Sequence, residues 1–232
     1  MSIRFGTSQE HVINPTNHYD IISHYYVRSV GHMMNEGKQK ILEAARATII
    51  ENGIQGTTLR GIAKKAGFST GAIYHYYSSK EAILYDVMDE GLGEIRRIAT
   101  ISIEDKKEAR EIIQEIFDGM QDRLKKDAES RLQFYLAHEA MLGNVELQNK
   151  FKEKYEDWIN RVEAIFVRAY GVEHGPSTRA VAAWTMAAID GMVLQTLLNV
   201  QVVESEHTNR ILEYLLQDGF THFFKVIENE QR

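Results

Sequence analysis

The sequence predicts an all-α fold in which a compact N-terminal head of short helices precedes a larger body of longer ones. Only Pro15 and Pro176 occur as helix-breaking prolines in 232 residues, and apolar residues between them recur every three or four positions. Cysteine is absent, which excludes disulfides, thiolate catalysis and cysteine-ligated metal sites. The length fits one domain of moderate size or a small domain fused to a larger one.

We divide the chain into an N-terminal extension (1–33), a head (34–82) and a body (83–232). The extension shows no clear period, so we expect it to be loosely ordered, or to precede a native initiator at Met33 or Met34. No run approaches the roughly 18 to 20 apolar residues of a membrane span. No signal peptide is apparent either, so we expect a cytoplasmic protein without membrane contact.

The head is predicted to contain three helices before a fourth opens at Ser79. The first runs over 37–52 and ends at Gly53, a residue type common just past a helix C-terminus. Thr58 is suited to cap the second helix, because its hydroxyl can accept a hydrogen bond from the first turn.

Gly67 then supplies a tight turn that residues with a Cβ enter reluctantly. Ser69 caps the third helix, which we expect to run over 70–76. The body is predicted to contain five longer helices, over 105–126, 128–142, 145–170, 177–200 and 206–228.

Two short helices joined by a glycine-containing turn match a helix-turn-helix, whose second helix is sized for the major groove of DNA. The small side chain of Ala63 lies where the two helices cross. Five apolar residues are predicted to pack inward: Leu59, Ile62, Phe68, Ile73 and Tyr77. Seven others remain available to a partner: Arg60, Lys64, Thr70, Gly71, Ala72, Tyr74 and His75.

Charge is distributed unevenly along the chain, whose net charge is -6. Residues 34–80 contain seven Lys or Arg against three Glu, whereas residues 81–232 contain 18 cationic against 28 acidic residues. A cationic head of this size would bind DNA weakly and in a salt-dependent way by itself. A two-fold dimer solves this problem, because it places two recognition helices about 34 Å apart on a near-palindromic site.

The stretch "TTLRGIAKKAGFSTGAIYHYYSSKE", residues 57–81, resembles the TetR/AcrR family of bacterial transcriptional repressors. The resemblance covers some 50 residues of the head, whereas the body matches only in the number, length and order of its helices. This sequence departs from the family pattern at Thr70, where Lys is frequent, and at Tyr77, where Phe is usual. The first departure leaves the operator preference open.

The resemblance implies a set of DNA-binding residues: Thr58, Arg60, Ser69, Thr70, Gly71, Ala72, Tyr74, His75 and Lys80. Within this set Thr58, Tyr74, His75 and Lys80 would contact phosphates, and Arg60, Thr70, Gly71 and Ala72 would lie nearest the bases. Each has a structural alternative, since Thr58 can serve only as a cap, Tyr74 as a half-buried ring and Lys80 as a surface charge.

The resemblance further implies a homodimer formed through the last two helices. Small residues spaced by three and four between Ala180 and Gly191 would let two helices approach closely. The alternative is that these helices form only an intramolecular core.

An unidentified small-molecule effector is expected to bind among the body helices. We predict that its site is lined by Phe117, Phe134, Tyr135, His138, Met141 and Trp184, with Met120, Trp158, Phe166 and Met186 as further candidates. Aromatic and Met residues at helical spacing more often form plain core. His138 with Glu139 is the one polar pair considered for contact with an effector.

No enzymatic motif, cofactor or metal site is recognised in the sequence. It contains no glycine-rich phosphate loop, nucleophile elbow or His-Glu-x-x-His pair. Neighbouring residues such as His174 and Glu173 point about 100° apart on a helix and do not easily share one ion. The predicted function is therefore a sequence-specific DNA-binding regulator, released by a ligand, and the alternative is a helical protein-binding module without operator specificity.

Overall fold

The computed structural model describes residues 18–93 and 107–230, and within these ranges the regular structure is helical, as predicted. Ten α-helices and one π-helical segment (Leu215–Gly219) are found in these ranges. The α-helices are α1 (His18–Gly56), α2 (Leu59–Ala66), α3 (Thr70–Ile73), α4 (Lys80–Gly91), α5 (Ala109–Lys125), α6 (Asp127–Met141), α7 (Val145–Tyr170), α8 (Pro176–Leu198), α9 (Ser205–Tyr214) and α10 (Phe220–Glu230).

The chain divides into two compact units. The first runs up to Gly53 and continues over Thr57–Ser78, whereas the second comprises Ile54–Gly56 and the chain from Ser79 onward. α2 and α3 therefore belong to the first unit, and α4 to α10 belong to the second. The first unit contains most of the predicted head and ends at Ser78, whereas the head was predicted to run over 34–82.

Helix α1 begins at His18, well before the predicted start at Gly37. Residues 18–33 of the predicted extension thus belong to α1, whereas its loose order stays a prediction, and residues 1–17 lie outside the described residues. No proline occurs between His18 and Gly56, so nothing in that stretch removes a backbone donor. The predicted break at Gly53 is confirmed, since this residue has φ 70° inside the helix and the chain resumes helical geometry up to Gly56.

The helix-turn-helix of the first unit is held by two hydroxyl caps and one glycine. Thr58 Oγ1 accepts from the Gly61 amide at 3.1 Å, and Ser69 Oγ accepts from the Ala72 amide at 3.1 Å. Gly67 has φ 74° and ends α2 in the left-handed conformation. Behind this frame four core residues are fully buried: Ile41, Ala45, Ile62 and Ile73.

Helix α3 is shorter than predicted, because it ends at Ile73 instead of Tyr76. The amides of His75 and Tyr76 donate to the carbonyls of Ala72 and Ile73, at 3.2 and 2.9 Å. These bonds span three residues rather than four, so the chain tightens into a turn after one helical turn.

The second unit packs α5 to α8 around a shared core. Phe166, Leu136, Ile112 and Ala182 are completely buried and come from four different helices. Farther along the chain, the rings of Phe166, Tyr170, Phe220 and Phe224 stack against one another at 5.3 to 6.1 Å. This aromatic cluster attaches α10 to α7.

The predicted helix over 206–228 is divided by a π-helical segment, Leu215–Gly219. In this segment the Phe220 amide donates to the Leu215 carbonyl, five residues back. The Tyr170 hydroxyl donates to the Leu216 carbonyl at 2.7 Å. A side chain from α7 therefore satisfies a backbone acceptor inside the irregular turn.

Helix α8 is the most apolar of the long described helices by mean hydropathy. It is the one described helix whose length and mean hydropathy, 1.4, are compatible with crossing a membrane, so the expectation that no segment approaches this threshold is wrong. One third of its most apolar window is buried within the described structure. Asp190 on this helix is hydrogen-bonded to Gln133 and Tyr155, as in a helix packed inside a bundle.

We expect Gly67→Ala to lower the free energy of unfolding of the first unit by about 1 to 2 kcal/mol, because alanine is strained at positive φ. Nothing lies within 4 Å of a Cβ added at Gly67, so the cost is conformational rather than steric. The measurement is urea denaturation followed by circular dichroism, with hydrogen exchange of the head amides.

Gly71→Ala is the matched control. Gly71 is not among the described glycines with positive φ, and a Cβ there would meet only Ser69 Oγ at 3.9 Å. This variant should be as stable as the parent or slightly more so, since alanine favours helix over glycine. Equal stability of both variants would contradict the role assigned to Gly67.

Candidate nucleic-acid interface and internal cavities

Most residues predicted to contact DNA lie on the exposed surface of the first unit. Ala72 is half-buried, and the others of this unit are exposed: Thr58, Arg60, Ser69, Thr70, Gly71, Tyr74 and His75. Of the residues predicted to pack inward, Ile62, Ile73 and Tyr77 are buried, while Leu59 and Phe68 are half-buried. The amphipathic division of α2 and α3 therefore follows the predicted pattern.

Tyr74 is the most informative side chain on this surface. It follows α3 directly, and 59% of it is exposed. A large ring left in water at the end of a short helix does not contribute to a core. Its hydroxyl is available as a hydrogen-bond donor to a phosphate oxygen.

The cations of the first unit differ in their partners. Lys65 forms an ion pair with Glu51, and the Lys38 ammonium lies 5.4 Å from the centre of the Tyr77 ring. Arg60 and Lys64 are exposed on α2, and neither forms an ion pair with another described residue. Both positive charges are therefore accessible to a nucleic acid.

Lys80 has a different environment from the other predicted contacts. It belongs to the second unit, where its ammonium lies 3.6 Å from Glu81 Oε1 and 5.8 Å from the centre of the Tyr135 ring. Only 21% of its side chain is exposed. The phosphate contact expected of Lys80 stays a prediction, and these partners compete with it.

The six residues predicted to line an effector site are not brought together. Phe117, Phe134 and Tyr135 are half-buried and line none of the cavities described below, while His138 is exposed and Met141 is 76% exposed. His138 lies 3.9 Å from Glu139 at the surface. Helical spacing shows which residues of α6 share a face, but not which face turns inward. Of the six, Trp184 lines a cavity among the helices of the second unit, and Met141 lines an open surface depression of about 420 Å³.

Two adjacent cavities lie among the helices of the second unit. The inner cavity has a volume of about 50 Å³ and is lined by Ile116, Gly119, Met120, Arg123, Val162, Ile165, Phe166, Thr185, Met186 and Ile189. The outer cavity has about 120 Å³ and is lined by Met120, Trp184, Thr185, Ala188, Met192, Thr208, Ile211, Leu212, Leu215, Leu216 and Phe220. Met120 and Thr185 belong to both walls.

A hydrogen-bonded polar network, which sequence reasoning missed, crosses the core beside the inner cavity. Arg123 on α5 donates to Ser130 Oγ and to Gln133 Oε1 on α6. The Gln133 amide donates to Asp190 Oδ1 at 3.3 Å, and the Tyr155 hydroxyl donates to Asp190 Oδ2. Gln133 stands at a buried position next to Leu132 in the sequence, and that polar residue in an apolar stripe is the signal that was available.

Burial sets the protonation states within this network. It raises the pKa of Tyr155 well above its ordinary value, and the neighbouring Asp190 carboxylate adds to the effect. The phenol is therefore a neutral donor at physiological pH. Burial also lowers the pKa of Arg123, and Asp190 opposes that effect.

A third depression is an open apolar groove formed by α8, the π-helical segment and α10. It has a volume of about 490 Å³ and is lined by Ser177, Ala180, Val181, Trp184, Leu215, Gly219, Phe220, Phe223 and Ile227. Trp184 is 58% exposed and Phe223 is 42% exposed. Three of these residues, Trp184, Leu215 and Phe220, also line the outer cavity.

The described residues contain no group of three His, Cys, Asp or Glu arranged to hold a metal ion. His174 does not pair with its neighbour Glu173. Its Nδ1 lies 3.4 Å from Oε1 of Glu163, which also accepts from the Gly175 amide at 3.3 Å. Glu163 therefore fixes the turn between α7 and α8.

Comparison with known sequences agrees with this architecture. A model described as "Bacterial regulatory proteins, tetR family" matches residues 41–87, and one described as "BetI-type transcriptional repressor, C-terminal" matches residues 106–221. The fatty acid metabolism regulator protein of Bacillus subtilis is 26% identical over 181 residues, which are 76% of this chain and 92% of that protein.

Two further proteins are similar to this chain. The transcriptional regulator BetI of Vibrio atlanticus is 24% identical over 194 residues, covering 80% of this chain and 92% of that protein. The crystal structure of a transcriptional regulator from Saccharomonospora viridis in complex with choline has a TM-score of 0.58 at 18% identity, covering 79% of this chain and 97% of that one. At this identity the structure is similar in fold alone.

An exposed helix-turn-helix surface on one unit and a helical body on the other define a DNA-binding transcriptional regulator. This chain belongs to the TetR family of bacterial regulatory proteins, as its matches to both family models show.

We expect Tyr155→Phe to lower the free energy of unfolding by about 1 to 3 kcal/mol, because it removes a donor to the Asp190 carboxylate inside the core. Urea denaturation at neutral pH is the measurement. Tyr135→Phe serves as the control, since the Tyr135 hydroxyl lies on a half-buried ring outside the network, and its loss should cost less than about 0.5 kcal/mol. Similar stability of the two variants would show that the network contributes no more than a surface contact.

Proposed function

We propose that this protein is a homodimeric repressor that binds a near-palindromic operator through its first unit and is released by a small molecule bound in its second unit. The observation that carries the proposal is the exposed polar surface of the helix-turn-helix, from Thr58 to His75, with Tyr74 left in water at its centre. Bacterial operator DNA lies in the cytoplasm, so we place the protein there.

The side chains of this surface suit the two tasks of DNA recognition. Hydroxyl and ring groups of Thr58, Tyr74 and His75 can bond phosphate oxygens and so fix the position of the unit on the duplex. Gly71 and Ala72 have little side chain, which allows the backbone of α3 to approach the groove wall. Thr70, at the start of α3, is placed to contact base edges.

Dimerisation is supported by the surface of α8 and α10. An apolar helix with only one third of its most apolar window buried, beside a groove with exposed Trp184 and Phe223, forms an apolar surface of the kind that marks protein–protein contacts. A second copy of the chain covers that surface in our proposal. The dimer then presents two heads, which compensates for the few phosphate contacts of each one.

An effector can release the protein from DNA because it binds the DNA-free and DNA-bound states with different affinities. An effector that binds the DNA-free state more tightly than the DNA-bound state lowers operator affinity by the ratio of its two affinities. The two internal cavities of the second unit supply space for such a molecule, and the Bacillus subtilis relative is named a fatty acid metabolism regulator protein.

We expect Arg60→Ala to weaken operator binding about tenfold and to reduce the preference for operator over a scrambled duplex, because Arg60 is predicted to lie nearest the bases. Loss of this exposed charge should also lower the slope of log affinity against log salt by about one. Fluorescence anisotropy with DNA from upstream of the gene, titrated at several salt concentrations, is the measurement. A scrambled duplex of equal length reports specificity.

The control is Arg131→Ala, which changes the net charge equally. Arg131 lies on α6 in the second unit and pairs with Asp127 at 2.8 Å, so its loss should leave affinity and salt slope unchanged. Equal effects of the two variants would show that only bulk charge matters. Absence of any preference for operator over scrambled duplex in the parent would refute the repressor and favour a protein-binding module.

We expect Phe223→Glu to convert the dimer to monomer, because the change would place a carboxylate in the apolar groove between copies. Sedimentation velocity measures the oligomeric state, and circular dichroism verifies that the variant stays folded. Operator affinity should fall together with dimerisation.

Met141→Glu is the matched control for this variant. Met141 is a more exposed apolar residue, on α6 and away from the groove, and the variant should remain dimeric. A folded, dimeric Phe223→Glu protein would place the interface elsewhere.

A further inference from the structure

We propose that the effector is a small apolar monocarboxylate, whose carboxylate is bound by Arg123 and whose hydrocarbon body fills the two cavities that meet at Met120. This inference rests on the proposed function, in that it names the chemical class of the ligand that releases the repressor. The charge, the polarity and the volume of the two cavities each restrict the chemistry of the ligand.

Arg123 is the only charged residue that lines either cavity in the described chain. Its guanidinium donates to two neutral partners, Ser130 and Gln133, and no described carboxylate lies within 4.0 Å of it. A guanidinium offers five N–H donors, so these bonds leave capacity for an incoming anion. A partly buried cation without a direct counter-ion is stabilised when a carboxylate binds it.

The negative charge nearest to Arg123 in the network belongs to Asp190, and a ligand in the cavities cannot reach it directly. Asp190 is held by the Tyr155 hydroxyl and the Gln133 amide, and it lines neither cavity. A cationic ligand would therefore meet Arg123 before any carboxylate. The arrangement selects against amines and quaternary ammonium compounds.

The rest of the cavity walls is almost entirely hydrocarbon. Besides Arg123, the side chains with polar N or O atoms are Trp184, Thr185 and Thr208, and the Thr185 hydroxyl already donates to the Val181 carbonyl at 2.8 Å. A ligand with several hydroxyl groups would lose its hydrogen bonds to water without replacement. The ligand body must therefore be apolar.

The volumes of the two cavities limit the size of the apolar part of the ligand. The cavities of about 50 and 120 Å³ together slightly exceed the ~150 Å³ of an engineered cavity in another protein that binds benzene. Met120 separates them, and an unbranched thioether side chain can change rotamer to join two voids. A benzene-sized body with one or two further carbons fits this space, as in benzoate, phenylacetate or hexanoate.

The outer cavity also links ligand binding to the proposed dimer surface. Trp184, Leu215 and Phe220 line both this cavity and the groove of α8 and α10. A ligand in the outer cavity would press on the same side chains that a second copy contacts. A ligand at this site is therefore positioned to alter the contacts between the two copies of the dimer.

The test is isothermal titration calorimetry of the full-length protein with benzoate and hexanoate. The neutral counterparts are benzyl alcohol and 1-hexanol, and hexylamine is the cationic one. We expect each carboxylate to bind at least about tenfold more tightly than its alcohol, as for a charge-assisted pair, and hexylamine not to bind. The two carboxylates should also lower operator affinity in the anisotropy assay.

Arg123→Met should abolish the preference for carboxylate over alcohol, whereas Arg131→Met, which removes an exposed charge on α6, should leave it unchanged. Because Arg123→Met disrupts the network, a second variant is needed in case it does not fold. Ala188→Leu fills part of the outer cavity and keeps Arg123, and it should weaken phenylacetate more than benzoate.

Equal affinity for carboxylate and alcohol, tighter binding of hexylamine, or an undiminished preference in folded Arg123→Met would each overturn the inference. If Arg123→Met does not fold, equal weakening of phenylacetate and benzoate binding by Ala188→Leu would overturn it.

Operator binding measured without any ligand separates this inference from the proposed function. A protein that binds its operator but no carboxylate contradicts only the ligand class, whereas one that binds carboxylates but not DNA contradicts the repressor.

Discussion

A helix of four residues has no stability of its own, and the proposed DNA contact of this protein depends on one. Forming the first turn of a helix fixes several residues for a single hydrogen bond, so α3 must be held from outside. Its support consists of the Ser69 cap, the left-handed turn at Gly67 and the buried side chain of Ile73. Of these anchors only Ile73 is buried, so the exposed residues Thr70 and Gly71 of α3 remain accessible to a partner.

The second unit meets a different constraint, because it must contain empty space and still have a defined structure. Cavities in an apolar core cost packing energy, and a core held only by hydrocarbon can rearrange around them. The network of Arg123, Gln133, Tyr155 and Asp190 connects α5, α6, α7 and α8 through directional bonds. Such bonds fix the relative positions of these four helices beside the inner cavity, at the expense of burying charge.

Local features of the head were predictable from sequence, because their causes lie within a few residues. The hydroxyls of Thr58 and Ser69 each bond an amide three positions onward, and Gly67 needs only its own φ angle. The start of α1 was not predictable, because helical propensity without a strong apolar period resembles an irregular segment. The end of α3 at Ile73 was also missed, since tight turns and helices share the same residue types here.

The cavities of the second unit are lined by only some of the residues that the sequence suggested for an effector site. Met120, Phe166, Met186 and Trp184 do line the cavities, whereas His138 and Met141 turn outward. Periodicity identifies the faces of a helix, but the choice of the inward face depends on how neighbouring helices pack. Arg123 and Asp190 were overlooked for the same reason, since their partners come from other helices far along the chain.

The irregular turn at Leu215–Gly219 has a consequence for the length of the last helix. Buried Leu216, Phe220 and Phe224 recur every four residues, and in a regular α-helix such a series drifts by about 40° at each step. A π-helical turn contains more residues than an α-helical turn. It therefore cancels this drift and keeps the three side chains on one side of the helix. Deleting one residue there would rotate α10 by about 100°, carrying Phe224 out of the aromatic cluster. The last helix should therefore evolve by substitution far more readily than by insertion or deletion.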